Sequence, residues 1–429
     1  MDRTHGTRLT RTSLALSLLL AALAATAPAA AVLCTLDNVP AATLLLPFFE
    51  LNLDDPNGET TLFSVANASA GATVAHVVLW TDLGVPTLFF DIYLTGYDVQ
   101  SVNLRDVIVN GRLPQTADAA EDPEDTISPK GPLSQDTSFP GCQGILPPTP
   151  LPAFFTAHLA ASHTGKPSAV LKGQCAGVDH GDNFARGYVT IDALNDCSTR
   201  FPSDPGYFGP GGDASDANVL VGDYFYVDSH LAYARGGNLV RLEADPQAFK
   251  PGDATFYELF VNGSAADGRE PLPTTWSARF LFGGTFNAGT EVVVWREAQT
   301  VPAPFACGGS SLTGGFPLSV TNGAVFDEQE QAEGLPLGRP CPPVPGDCQL
   351  ILPPGSWATT RTQVGSAQFP VSFFFGWYVA DFQNAQPPPG AFGGRQAWLG
   401  IDMNSNRKIS VALAGTPLDS GCGPVAPVP

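Results

Sequence analysis

The sequence predicts a mainly β protein with two antiparallel β-sandwich domains, long disulfide-stapled loop insertions and one short helix. Short apolar runs rich in Val, Phe, Tyr and Thr recur between clusters of Gly, Pro, Asn and Asp, which is typical of β-strands. Few windows have the periodicity of an amphipathic helix. Because the strands follow one another without alternating helices, antiparallel sandwiches are favoured over a parallel sheet.

The strand candidates are the runs with the strongest β-branched and aromatic character. They lie at 60–67, 73–80, 87–94, 187–194, 218–228, 238–244, 255–261, 276–282, 291–297, 371–382, 397–403 and 408–413. The run "VSFFFGWYVADF", at 371–382, is apolar on both faces. We therefore interpret it as a central buried strand rather than as an aromatic platform for sugars.

One helix is predicted, in "PAFFTAHLAASHTGKP" at 152–167. Pro152 suits the first helical position, Gly165 suits a left-handed residue after the end, and Pro167 prevents continuation. His158 and His163 would lie about 140° apart around this helix, which makes them poor co-ligands. His163 is predicted to act as a favourable cation at the helix C-terminus.

Two parts of the chain repeat a similar series of strands, although chance similarity between strands is the alternative. "AGATVAHVVLWTD" precedes "RGYVTIDAL" and "VLVGDYFYVD", and "NAGTEVVVWRE" precedes "FGWYVADF" and "AWLGIDM". This pattern aligns Trp80 with Trp295 and predicts two related sandwiches, each with a Pro- and Cys-rich insertion at the same point. The expected divisions are a signal peptide at 1–31, a first domain at 32–265 with an insertion at about 112–180, and a second domain at 266–429 with an insertion at about 300–356.

The N-terminus has the order of a secretory signal. Arg3, Arg8 and Arg11 precede an apolar run at 14–27, and the small residues "APAAA" follow it. Cys34 lacks the leucine and small residue that normally precede a lipidated cysteine, so we interpret it as structural. No later stretch is apolar enough to span a bilayer, so we expect a secreted, extracellular or periplasmic protein without membrane insertion.

The cysteines are even in number, which in an exported chain indicates disulfides. They are Cys34, Cys142, Cys175, Cys197, Cys307, Cys341, Cys348 and Cys422. None has C-x-x-C spacing, and the loop "CPPVPGDC" suits a disulfide better than a zinc site. We predict that Cys175 pairs with Cys197, and that Cys307 pairs with Cys341 or Cys348.

The net charge of -20 argues against nucleic acid and anionic lipid as partners, because an acidic surface repels phosphates. The acids are scattered, and charged residues make up 14% of the chain against 44% hydrophobic residues. That balance favours a folded core over disorder.

Several segments together resemble a group of uncharacterised exported bacterial proteins with immunoglobulin-like β-sandwich modules. They include "TLLLPFFELNLDDPNGETTLFSVANAS", "LTGYDVQSVNLRDV", "ARGYVTIDALNDCS", "VGDYFYVD" and "VNGSAADGREPLPTTW". The resemblance implies export and two immunoglobulin-like sandwiches. It implies no activity and no functional residues.

The segment "CAGVDHGDNFARGYVTIDALNDC" contains three potential metal-binding or catalytic side chains within four residues. Asp179, His180 and Asp182 are potential zinc ligands, or a base with its orienting group, but such a site needs a further ligand from elsewhere. Gly177 and Gly181 flank them, which is typical of a polar turn that leads into a strand. We favour the turn.

Calcium is the metal that the acidic loops would take, because they are dense in hard oxygen ligands. The candidates are Asp196, Asp204, Asp213 and Asp216 in one loop, and Asp54, Asp55, Asn57 and Glu59 in another. "DMNSNRKIS" begins like a calcium loop, but Arg407 and Leu413 occupy positions that require glycine and an acid, so we interpret it as a hairpin turn. No other cofactor is indicated.

Catalytic signatures are missing from the sequence. There is no G-x-S-x-G, H-E-x-x-H or S-x-x-K motif, and Asp327, Glu328 and Glu330 in "VFDEQEQ" fit a solvated turn better than glycosidase carboxylates. We expect a non-catalytic extracellular or cell-envelope binding or structural module. The sequence leaves its partner open, and a cell-surface or extracellular polymer is one candidate. The alternative is an extracellular hydrolase, with or without a metal ion, whose loop-built site includes 179–182, His163 and Asp196.

Overall fold

The computed structural model describes residues 34, 38–114, 150–281, 283, 287, 289–298, 300–308, 322–334, 358–366, 369, 371–382, 396–405, 409–419 and 422. The expected signal peptide, Cys142, Cys341 and Cys348 lie outside the described residues. From Cys34 onward, the described chain forms one compact unit that is mainly β.

The first half of the described chain forms two antiparallel sheets. Its strands are β1 (Thr43–Asn52), β2 (Thr60–Asn67), β3 (Thr73–Thr81), β4 (Pro86–Leu94), β5 (Val99–Asn103), β6 (Phe184–Leu194), β7 (Leu220–Asp228), β8 (Tyr233–Asn238) and β9 (Val240–Leu242). They are ordered β4-β3-β6-β1-β9 in one sheet and β5-β2-β7-β8 in the other. The sheets contact each other through β1, which packs against β2 and β7.

The second half forms two further antiparallel sheets. Its strands are β10 (Thr275–Leu281), β11 (Gly289–Arg296), β12 (Asn322–Phe326), β13 (Ala332–Gly334), β14 (Thr359–Gln363), β15 (Phe375–Asp381), β16 (Ala397–Ser405), β17 (Ile409–Ala414) and β18 (Thr416–Pro417). They are ordered β13-β12-β15-β10-β18 and β14-β11-β16-β17. Here β10 packs against β16.

The two halves have the same strand order. Each strand of the first half corresponds to the strand numbered nine higher in the second half, so β1 corresponds to β10 and β9 to β18. With this correspondence both sheets of the first half have the strand orders of the second half. The aligned pairs β6 with β15 and β7 with β16 therefore occupy matching positions. The alignment of Trp80 with Trp295 is wrong, because Trp80 lies in β3 and Trp295 lies in β11, which matches β2.

The insertions also differ in position. The first long connection, at 104–183, lies between β5 and β6, whereas the later ones lie between β11 and β12 and between β13 and β14. The expectation that both insertions interrupt the same point is therefore wrong. Strands of similar composition cannot be aligned reliably from short matches, because their period of two is shared by every strand.

Eleven of the twelve predicted strand positions are confirmed, but the prediction omitted β1, β5, β8, β12, β13, β14 and β18. β1, which the prediction omitted, accommodates Pro47 at a register shift between Leu46 and Phe49. The segment 255–261, predicted as a strand, instead forms turns. Asp267 holds these turns by accepting hydrogen bonds from Thr255 Oγ1 at 2.6 Å and Tyr257 N at 3.0 Å.

Two short helices are described, one more than predicted. Helix α1 (Leu104–Ile108) is capped by the side chain of Asn103, which accepts a hydrogen bond from Arg105 N. Helix α2 (Ala153–His163) is the predicted one; Pro152 is its N-cap, and Gly165 has the expected left-handed φ of 67°. Within the described residues, neither helix has the length and apolar character needed to cross a bilayer.

The interpretation of 371–382 as buried on both faces is wrong. β15 is central in its sheet, between β10 and β12, and Tyr378 and Ala380 are fully buried. However, Trp377 on the opposite face is 46% exposed, and Phe375 beside it is 42% exposed. An apolar run shows which residues are able to be buried, but what covers the second face is set by the rest of the fold.

The predicted disulfide pairings are wrong. Cys175 bonds to Cys307, with 5.2 Å between their Cα atoms, and Cys34 bonds to Cys422, with 5.5 Å between theirs. Cys197 is also disulfide-bonded, but not to Cys175. Strand β6 separates Cys175 from Cys197 by roughly 35 Å of extended chain, so closeness in sequence did not bring these two sulfurs together.

The matching strand order predicts that two glycines are required at equivalent positions. A Cβ on Gly187 of β6 would lie 2.0 Å from the carbonyl oxygen of Trp80, and one on Gly376 of β15 would lie 2.1 Å from that of Phe326. We expect Gly187→Ala and Gly376→Ala each to lower the free energy of unfolding by about 2 kcal/mol or more. Denaturant unfolding of the oxidised protein measures this.

The matched control is Gly71→Ala, whose Cβ would meet no atom within 4 Å. Its free energy of unfolding should stay close to that of the unchanged protein. Equal effects of all three substitutions would contradict the close approach of the neighbouring strands.

Candidate functional site

The three side chains singled out at 179–182 do not converge. Asp179 Oδ1 accepts a hydrogen bond from Gly181 N at 2.9 Å, which closes a local turn. Asp182 forms a two-pronged pair with Arg186, at 2.8 and 2.9 Å, and this pair lowers the pKa of Asp182. The segment is a loop, and two of its three candidates serve to shape it.

His180 pairs with an aspartate that sequence reasoning missed. Its Nε2 lies 2.8 Å from Oδ2 of Asp82, which is 2% exposed at the end of β3. Asp82 Oδ1 also accepts a hydrogen bond from Val178 N at 3.0 Å. The only sequence signal for this partner is an acid directly after a buried strand, 98 residues from His180.

The two Pro- and Cys-rich insertions meet beside this pair. The Cys175–Cys307 disulfide joins them, and Cys175 exchanges backbone hydrogen bonds with Phe305, both at 2.9 Å. Thr81 Oγ1 donates to the carbonyl oxygen of Ala176 at 2.6 Å, so the first insertion is also attached to β3. Asp82 and His180 are thus held on a cross-linked and hydrogen-bonded support.

The acidic loop considered for calcium is occupied by internal partners. Asp213 binds Arg200 Nη1 at 2.7 Å and Ser198 Oγ at 2.5 Å, and Asp216 binds Arg269 Nη1 at 3.1 Å. Asp196, by contrast, accepts a hydrogen bond from the adjacent Cys197 N. These carboxylates point to different partners rather than to one shared centre.

The second acidic loop is likewise internally bonded. Asp54 accepts a hydrogen bond from Asn183, while Asp55 accepts one from Asn57 N and lies 3.0 Å from His230 Nε2. Across the described residues, no group of three or more His, Cys, Asp or Glu side chains is arranged to hold a metal ion. "DMNSNRKIS" joins β16 to β17, which pair antiparallel as the hairpin interpretation requires; residues 406–408 lie outside the described part.

The helix histidines are buried and serve the core. His163 Nδ1 donates to the carbonyl oxygen of Arg186 at 2.9 Å, and its Nε2 lies 2.8 Å from Thr87 Oγ1. Burial lowers the pKa of His163 to about 4, so the ring is neutral at pH 7. The expectation of a cationic partner for the helix dipole is therefore wrong.

His158 and His76 are also held by short polar contacts. His158 Nδ1 lies 2.7 Å from Ser168 Oγ, and burial lowers the pKa of His158. His76, fully buried in β3, lies 2.5 Å from Asp91 Oδ1 and 2.9 Å from the carbonyl oxygen of Arg200. His76 is structural, as its position on a strand face predicted.

A buried ionic cluster joins the two halves of the chain. Arg361 of β14 pairs with Glu50 of β1 and lies 3.3 Å from Glu59. Arg235 of β8 lies 3.2 Å from Asp402 of β16. A polar cavity of about 170 Å³ adjoins the cluster and has room for several water molecules.

The ionic cluster shifts the acids within it in opposite directions. Burial opposes ionisation of Glu50, but Arg361 and Arg186 outweigh burial and hold the pKa of Glu50 below its usual value. Burial raises the pKa of Asp402, and Arg235 and Arg361 offset this only in part. The cluster therefore connects the two halves of the chain through paired charges.

A large groove with a volume of about 950 Å³ lies in the second half. It follows β10 and is lined mainly by apolar side chains, including Leu281, Phe375, Trp377, Met403, Leu413 and Leu418. Arg279 lies 5.8 Å from the Trp377 ring centroid. Asp327, Glu328 and Glu330 form an acidic turn at its rim, where Asp327 accepts hydrogen bonds from the backbone N of Gln329 and Gln331.

No family model, no curated protein and no solved structure matches this chain. The functional interpretation therefore depends on the surfaces and side chains described above.

The buried His163 predicts a pH dependence of stability. In the unfolded chain a histidine binds a proton near pH 6.5, whereas His163 in the fold does so only near pH 4. Between these values the unfolded state binds more protons than the folded state. The contribution of the neutral His163 to the free energy of unfolding is therefore fully present above pH 6.5 and is lost as the pH falls towards 4. We expect a loss of roughly 3 kcal/mol across this window from His163 alone.

His163→Gln should reduce the slope of the free energy of unfolding against pH between pH 7 and 5. His230→Gln is the matched control, because that ring is exposed and pairs with an exposed Asp55. An unchanged slope in His163→Gln would contradict the neutral buried assignment.

Proposed function

We propose that this protein is exported and acts as a non-catalytic binding or structural module in the cell envelope or outside the cell. Export is supported by the order of residues at 1–31 and by disulfides at Cys34, Cys175 and Cys197, since oxidised cysteines persist outside the cytoplasm. The acidic charge of -20 argues against nucleic acid as a partner.

The observation that carries the proposal is the open groove along β10. Asp182, Asp213 and Asp216 are used in internal ion pairs. The groove, in contrast, has a volume of about 950 Å³, is lined mainly by apolar side chains and includes a half-exposed Trp377. A concave site of this volume, lined mainly by apolar side chains with a few polar groups, is typical of a binding site.

We further propose that the halves are two related immunoglobulin-like domains, with the boundary near residues 265 and 266, as in the exported bacterial proteins that the sequence resembles. The identical strand order of the halves supports duplication. β2 pairs with β5 and β3 pairs with β6, as strands B with E and C with F do in immunoglobulin domains. The positions of strands A and G are taken by β7 and β1.

The proposed function predicts that the mature protein binds through the groove and has no turnover of its own. Retention on isolated cell-envelope material and on a glycan array, with sedimentation of the protein alone, measures binding. Trp377→Ala should weaken the binding about tenfold or more, because a central aromatic anchor is lost. Phe154→Ala is the matched control, since Phe154 is exposed on α2, away from the groove. A protein that binds neither material nor itself would contradict the proposal.

The second candidate is an extracellular hydrolase, and the Asp82–His180 pair favours it. A buried carboxylate that orients a partly exposed histidine is the arrangement of a general base with its orienting group. The pair lies where the two insertions are joined, as a loop-built site requires.

If the hydrolase proposal holds, His180→Ala and Asp82→Asn should each lower any hydrolytic activity by at least about tenfold. Broad substrate screening of the purified oxidised protein measures it, with His230→Ala as the control. Activity that survives both substitutions unchanged would remove this site from consideration.

A further inference from the structure

We propose that copies of this chain associate head to tail, with the outer face of the β5-β2-β7-β8 sheet of one copy seated in the groove along β10 of the next. This inference rests on the proposed binding role and names the partner of the groove. Its starting point is the contact between the two halves within one chain. In that contact, the outer face of a four-stranded sheet already packs against the first-half counterpart of the groove.

Within the chain, the outer face of the β14-β11-β16-β17 sheet covers the first half along β1. Arg361 of this face lies 5.2 Å from the Phe48 ring centroid and 5.8 Å from that of Tyr226, and it pairs with Glu50. Thr359, next but one in β14, donates a hydrogen bond from Oγ1 to the carbonyl oxygen of Pro47 at 2.5 Å. We call this contact the internal joint.

Equivalent residues of the two halves can be assigned from hydrogen bonds. Thr61 Oγ1 donates to the carbonyl oxygen of Glu50 at 2.8 Å and accepts from its N at 3.1 Å. Thr290 Oγ1 makes the same two bonds to Leu281, at 2.5 and 2.9 Å. Leu281 therefore matches Glu50, and the strand registers extend the match to the remaining positions.

The groove of the second half is the counterpart of the surface that the joint covers in the first half. Leu281 matches Glu50, and Met403 matches Tyr226, through the pairing of β11 with β16 and of β2 with β7. In the second half this surface is open, and Leu413 is 45% exposed.

The reverse holds for the outer faces of the four-stranded sheets. In the second half Thr359 and Asp402 on this face are 1% and 3% exposed, because the first half covers them. Their counterparts in the first half are Val99, which is 60% exposed, and Phe225, which is 46% exposed. Each chain therefore has one open copy of each surface.

The open groove of the second half and the open sheet face of the first half are chemically more complementary to each other than to the charged surfaces of the internal joint. The charged residues of the joint are replaced by uncharged ones at the matching positions: Glu50 by Leu281, Arg235 by Val411, Arg361 by Ser101 and Glu291 by Leu62. If the charged face of the β14-β11-β16-β17 sheet were placed in the apolar groove, its charges would lose both water and counterions, which is unfavourable. The first half of a second copy instead offers Val99, Leu62 and Phe225, and Asp223 on the same face accepts a hydrogen bond from Ser64 Oγ at 2.7 Å.

A contact of this kind is heterologous, because two different surfaces meet. Each added copy leaves one face and one groove exposed, so association continues into a chain or closes into a ring. Because every copy carries a net charge of -20, copies repel each other at low ionic strength. Added salt should therefore strengthen the association.

Sedimentation velocity of the mature oxidised protein alone, from low to high micromolar concentration, tests the inference. We expect the weight-average mass to rise with concentration beyond that of one chain, and to rise further with added salt. Phe225→Asp in the sheet face and Leu413→Asp in the groove should each weaken association at least tenfold. Phe154→Asp, on the exposed side of α2, is the matched control and should assemble normally.

Mixing the two variants gives the decisive result. Phe225→Asp retains an intact groove and Leu413→Asp retains an intact sheet face, so the mixture should form a pair of one copy each and nothing longer. A symmetric interface between identical patches would not be rescued in this way. Val99→Asp and Leu418→Asp provide a second exposed position on each surface if a first variant fails to fold.

Three results would overturn the inference: a single-chain mass at every concentration and salt level, unchanged assembly of both variants, or folded variants that fail to pair when mixed. A protein that remains a single chain but binds envelope material or glycans would retain the proposed function and lose only this inference.

Discussion

The buried pairing of Arg361 with Glu50 is the interaction on which the arrangement of the two halves depends. A guanidinium taken out of water costs several kcal/mol unless carboxylates and ring faces replace the lost hydration. Arg361 obtains Glu50, Glu59 and the rings of Phe48 and Tyr226 from the first half of the chain. Because Glu50 and Phe48 lie in β1 and Tyr226 lies in β7, which packs against β1, the second half is held against this part of the first half.

This joint also decides which surfaces remain open. It covers the outer face of one four-stranded sheet and one side of the first half, and it leaves their counterparts exposed in the opposite halves. Two halves with the same strand order thus expose different chemistry: the first presents Val99 and Phe225, and the second presents Trp377 and Leu413. Two halves with the same strand order, joined by one asymmetric contact, therefore have unlike exposed surfaces.

Polar side chains in this protein mainly secure the fold. Asp192, fully buried in β6, accepts hydrogen bonds from Thr43 at 2.5 Å, Tyr207 at 2.7 Å and Tyr257 at 3.0 Å. Burial, together with the charge of Asp192, raises the pKa of both tyrosine hydroxyls. A buried carboxylate satisfied in this way fixes the connection between strands and loops rather than leaving a reactive group. The proposed binding function therefore lies on exposed surfaces such as the groove along β10.

The sequence by itself determined the local elements: strand positions such as Thr60–Asn67, the helix Ala153–His163 and the loop character of 179–182 follow from period, turn residues and caps. Only the tertiary structure decided which distant residues meet, including Cys175 with Cys307, Asp82 with His180, and Arg361 with Glu50. The physical reason is that local preferences act over a few residues, whereas strand pairing across connections of up to about eighty residues depends on how whole faces are buried. Whether Trp377 is covered, and what partner its groove accepts, are decided at that level.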